Sequence, residues 1–193
     1  MSFGHSFLTI LALVVITFLV VSANRIVTQS LQDELTGEAY NQAGEIASDL
    51  INEALKKKFD DPKVLHSFTY SGNGKTYYYH IYDSTMYDNQ SNFTAPGSLG
   101  PTGTEITSVP LPDKYPFKSI AGYDDFDDYD GYQRIVDTPI MTGFIVNCTV
   151  TYVNGGALNT PYNSQSYYKR LVVTVSQPTY LPDALSFSTI MTY

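Results

Sequence analysis

At 193 residues, with 19 acids against 11 bases and a net charge of −8, the chain has room for one domain and an appendage. The acidic balance argues against a nucleic-acid partner, because neutralising phosphate takes clustered Lys and Arg. The one basic cluster, Lys56 to Lys58, is short and reads as the end of a helix. A single cysteine, Cys148, excludes an internal disulfide, and its run "FIVNCTVTYV" makes it a small residue in a strand.

From Met1 to Asn24 there is no Asp, Glu, Lys or Arg. Within it "FLTILALVVITFLVVSA" is broken only by Thr9, Thr17 and Ser22, whose hydroxyls can bond back to a helix. As a helix, residues 1–24 reach ~36 Å, enough for a bilayer core of ~30 Å. Three readings compete: a cleaved secretion signal, a membrane anchor, or a helix buried in an assembly. "VSA" before Asn24 resembles a cleavage site, but the start has no Lys or Arg.

The next stretch weakens the signal reading. Val27, Leu31, Leu35, Ala39, Ala43, Ile46, Ala47, Leu50, Ile51, Ala54, Leu55 and Phe59 recur in steps of mostly three and four, the spacing of one helical face. Acids dominate from Asp33 to Glu53 and lysines follow, the polarity a helix dipole favours. "FDDP" ends the pattern, since the residue before Pro62 avoids the helical region. One helix from about Phe7 to Phe59, ~80 Å long, is expected. Gly37 and Gly44 fall on nearly the same side, either for close packing on a neighbouring helix or as neutral glycines.

After residue 60 the chain is rich in Tyr (seventeen in all), Thr, Ser, Gly and Pro, a mix that suits strands and turns. Strands are expected at "LHSFTYSG", "KTYYYHIYD", "TEITSVPL", "RIVDTP", "TGFIVNCTVTYVNG", "YYKRLVVTVSQ" and "ALSFSTIMTY". Phe144, Val146, Cys148, Val150 and Tyr152 alternate with a Thr- and Asn-rich face, as in a half-exposed antiparallel strand. "RLVVTVS" fits as its neighbour, across a long hairpin connection "VNGGALNTPYNSQS". The fold class expected is α+β. A long helix, 1–59, with its apolar part at 1–24, packs on one antiparallel sheet in a β-rich domain, 60–193.

That order, with the pieces "ANRIV", "EAYNQAGEIASDLINEA", "KKFDD", "YDDFDDYDGY" and "VTVSQP...DALSFSTIMTY", resembles type IV pilins and pseudopilins, and in particular a group of pilin-like proteins from environmental bacteria. The resemblance implies a pilin-like fold and a structural, non-enzymatic role. The chain would be inserted in the inner membrane and then polymerise with identical subunits into an extracellular helical filament, a pilus or fimbrium of the cell surface. The assembly core would be Phe7, Leu8, Ile10, Leu11, Leu13, Val14, Val15, Ile16, Phe18, Leu19, Val20 and Val21. A pseudopilin of a secretion machine, or a single-span anchored β-domain that binds a partner, are the alternatives. The family is cut after a glycine and carries a glutamate as the fifth mature residue. Here Gly4 is followed by His5, and the fifth residue from His5 is Thr9.

"GYDDFDDYDGYQRIVDT" places aspartates at 124, 125, 127, 128 and 130, before Gly131. Hard cations take oxygen ligands from such loops, so Asp125, Asp127, Asp128, Asp130 and Asp137 are the candidate calcium set. The plainer reading is a solvated acidic loop, and no other cofactor is called for. Aligned on Gly131 as the sharp-turn glycine, the first ligand position falls on Phe126, so this is no EF-hand. His5, His66 and His80 show no metal spacing, and "SGNGK" reads as a hairpin turn. Asn89, Asn92 and Asn147 open glycosylation sequons.

Overall fold

The computed structural model describes residues 3–60, 66–72, 75–81, 90, 93–102, 105 and 122–193, with the backbone alone at 3–6, 66–72 and 75–81. It divides into two compact units, Met1–Asn41 and Gln42–Tyr193. The expected strand around 106–111, Tyr82 and the sequons at Asn89 and Asn92 lie outside the described residues.

Helix α1 runs from Phe3 to Ala54 without a break, 52 residues with no proline. It stops short of the expected Phe59, and hydrogen bonds show why. Lys56 N and Lys57 N donate to Glu53 O and Ala54 O, each at 3.1 Å, so the last turn tightens. Lys58 then leaves the helix to pair in parallel with the acidic loop: Lys58 N donates to Asp124 O at 3.3 Å, and Phe126 N to Lys58 O at 2.8 Å. A distant segment ends the helix before the local signal at Pro62 can.

In the second unit, Ala43, Ile46, Ala47, Leu50 and Ala54 of α1 are buried, as the helical spacing predicts. Their cover is a five-stranded antiparallel sheet of β3 (Gln133–Val136), β4 (Phe144–Asn154), β5 (Ala157–Pro161), β6 (Tyr168–Ser176) and β7 (Leu185–Thr192). The order is β3-β4-β6-β7, and β5 pairs with the end of β4. The connection expected as a plain hairpin loop therefore contains a strand. Phe144, Val146, Cys148, Val150 and Tyr152 are buried along β4. On β6 the buried positions are Lys169, Leu171, Val173 and Val175. Helix and sheet are close at Gly44, where a Cβ would lie 4.0 Å from Phe187 Cζ. The class is α+β, a long N-terminal helix on an antiparallel sheet, consistent with a pilin-like fold.

Among the described residues, strands β1 (His66–Gly72) and β2 (Lys75–Ile81) pair only with each other, in a register that closes at Gly72 and Lys75. The strands that flank "SGNGK" thus pair as the hairpin reading expects, but they form a second, two-stranded sheet instead of extending the first. His66 and His80, whose sequence spacing suggests no metal site, occupy neighbouring rungs there.

Candidate functional site

Two features carry chemistry. The first is the apolar part of α1. The large apolar side chains from Phe7 to Val21 are 50–71% exposed, on every side of the helix, and the first formal charge is Arg25. The Thr17 hydroxyl donates to Leu13 O at 2.8 Å, so this polar atom inside the run is satisfied by the helix itself. Apolar surface of this extent is unfavourable in water and demands lipid or protein around it. By length and composition the helix is a candidate membrane anchor.

The second feature is an ionic cluster in the globular unit. Lys169 is wholly buried because it takes an inward position of β6, opposite Tyr152 of β4. Its Nζ lies 2.5 Å from Asp127 Oδ1 and 3.4 Å from Asp60 Oδ2, and donates to the Phe59 carbonyl at 2.8 Å. The rings of Phe59 and Tyr152 lie 4.7 and 5.4 Å from it. Such rings attract a cation through their quadrupole and keep water out. Asp60 is held by Thr94, whose N–H and hydroxyl donate to its two oxygens at 2.8 and 2.7 Å.

The acidic loop is folded inward, not solvated: Asp125, Asp127 and Asp128 are 3%, 3% and 2% exposed. The reason is backbone capping by aspartates in a short helical turn, Asp127–Tyr129. Asp127 N and Asp128 N donate to Asp125 Oδ1 at 3.1 and 3.2 Å. Asp124 N and Asp125 N donate to Asp128 Oδ2 at 2.9 and 3.2 Å. Burial pushes the Asp125 carboxyl up to about 8, with the charges of Asp127 and Asp128 adding to it and Lys169 opposing. Burial also raises Asp128 to about 6. Asp127 is raised by burial despite the opposing pull of Lys169.

The expected calcium set is not gathered in one place. Asp125 and Asp127 approach Asp60, while Asp128 approaches Asp124 and Glu105. Asp130 instead accepts from Val150 N at 2.8 Å, and Asp137 from Gly143 N at 2.7 Å. Gly131 does make the sharp turn assigned to it, at φ +74. In the Asp60 group the cation is the Lys169 ammonium. The other group draws on Asp128 Oδ2, which already accepts two backbone N–H bonds, and on Asp124, paired with Lys58 at 3.3 Å. Among the described residues, neither group gathers the six to eight oxygens calcium prefers.

The sequence pattern marks Asp60 only as a turn residue at the end of the helix, and gives Lys169 and Thr94 no role as its partners. The signal for Lys169 was present: it is in phase with Leu171, Val173 and Val175. Cys148 is buried as expected, and burial pushes its thiol up to about 12, which leaves it inert.

Comparison of the chain with protein-family models, with curated proteins and with solved structures finds no match.

Proposed function

We infer that the chain is the structural subunit of a pilus-like helical filament at the cell surface. It assembles through residues 7–21, after a stage in which the same residues are held by the membrane. The observation that carries this reading is an uninterrupted helix whose first part is apolar all round and uncharged, joined to one whose second part is buried on a single stripe. A helix with only a lipid partner has little use for an amphipathic continuation into a sheet domain. Identical helices side by side would bury the apolar surface without any unpaired charge in the core. The family's glutamate is not needed for that, and a buried carboxylate without a partner is costly.

The second reading, a single-span membrane-anchored domain, is favoured by the same candidate span. Negative-stain microscopy of sheared cell-surface material separates the two. Filaments containing this chain are expected. Recovery of the protein only as single copies in the membrane fraction, with no lateral cross-linking between residues 7–21, would reject the filament.

A further inference from the structure

We propose that Lys169 and Asp127 join through an amide bond between Nζ and the side-chain carboxyl carbon, an internal cross-link of the globular unit. The inference is independent of whether the chain polymerises. An amine and a carboxyl in water do not condense, because both are ionised and solvated and water opposes the loss of water. Here Lys169 is 0% exposed and Asp127 3%, and Nζ is already within 2.5 Å of Asp127 Oδ1. Holding the reactants in contact supplies much of the entropic part of such a barrier. The rings of Phe59 and Tyr152 wall the amine off from solvent, so bulk water does not compete for the reacting pair.

Two more carboxyls stand where proton transfer needs them. Asp60 Oδ2, 3.4 Å from Nζ, can take a proton from the ammonium. The Asp125 carboxyl stands beside that of Asp127, with oxygens of Asp60, Asp125 and Asp127 all within 4.8 Å of one another, and burial raises it well above the ordinary carboxylate range. It is placed to deliver its proton to the Asp127 oxygen as negative charge develops there. In sequence, Nζ loses a proton to Asp60, and its lone pair attacks the Asp127 carboxyl carbon. Asp125 protonates the oxygen of the tetrahedral intermediate. One C–O bond then breaks, and that oxygen departs as water with a second proton returned from Asp60. Asp125 recovers its proton from the nitrogen, which keeps one hydrogen as the amide. The net change is one ammonium and one carboxylate converted to one amide and one water, with no oxidant and no external reagent.

Lys169 and Asp127 are 42 positions apart, on β6 and in the acidic loop, so the bond would close a long covalent ring. The test is mass spectrometry of the native full-length protein after denaturation and proteolysis. The expected product is a branched peptide pair containing Asp127 and Lys169, one water lighter than the sum of its two parts. Recovery of the two segments only as separate linear peptides, with Lys169 free, overturns the proposal, and so does a branch to Asp60 in place of Asp127. Asp125→Asn is expected to slow or abolish the branch in folded protein. Because Asp127→Ala or Lys169→Met can disturb folding, the wild-type digest decides the matter without them.

Discussion

The phenolic hydroxyl of Tyr129 donates to Glu53 Oε1 at 2.9 Å, tying the acidic loop to the last turn of α1. Tyr129 is fully buried, with its ring 5.2 Å from Tyr123 and 6.1 Å from Tyr132. Burial and the neighbouring Glu53 carboxylate raise its hydroxyl far above the ordinary phenol range, so it stays a donor. Tyr129→Phe keeps the ring packing and leaves Glu53 without this partner. The expected loss is about 1 kcal/mol, read as a lower urea midpoint with an unchanged denaturant slope.

Stability should depend on pH in an unusual direction. Asp125 and Asp128 sit at about 8 and about 6 in the folded chain, above the ordinary carboxylate value. Between about pH 4 and 8 the folded state therefore holds more protons than the unfolded one, and stability falls as pH rises through that window. Melting at constant ionic strength should be highest near the acidic end. Asp125→Asn should flatten the profile; a stability that climbs from pH 5 to 8 contradicts the buried geometry.

Cys148 provides a check on the sheet. Its thiol faces the core of β4 and is held protonated by burial. Alkylation by iodoacetamide at neutral pH is expected only after unfolding. Fast labelling of the native protein would place Cys148 on the other face.

The two glycines of α1 separate packing from propensity. A Cβ at Gly44 would meet only Phe187, at 4.0 Å, an ordinary contact, and one at Gly37 meets nothing within 4 Å. Each substitution to Ala should stabilise by up to about 1 kcal/mol, seen as a melting temperature about 2–4 °C higher. A drop for Gly37→Ala in assembled material but not in dispersed protein would reveal a neighbouring helix at that position.

Leu13→Arg tests the apolar segment. A charge at the middle of such a run costs about 2.5–3.5 kcal/mol on insertion into a bilayer, and more among tightly packed identical helices. On the filament proposal, Leu13→Arg removes filaments from sheared material while the globular unit retains its melting transition. Normal filaments from this variant would mean that residues 7–21 are not the core.

Local pattern was enough to reveal most elements. The apolar run, the helical spacing after Arg25 and the strict alternation in β4 each depend on neighbours a few residues away, so they are legible without the fold. Long-range pairing lay beyond that reach. The helix ends at Ala54 and not Phe59 because Lys58 finds Asp124 and Phe126 far along the chain.

The sequence by itself determined that this protein carries an uncharged apolar helix continuing into an amphipathic one and then into β-structure, because composition and periodicity encode burial directly. Only the tertiary structure decided that the acidic loop turns inward and that Lys169 sits among its carboxylates. That outcome rests on the register of β4 against β6, which sets Lys169 beside Tyr152. A charge is buried only where its partners converge, and they converge here from residues 60, 127 and 169.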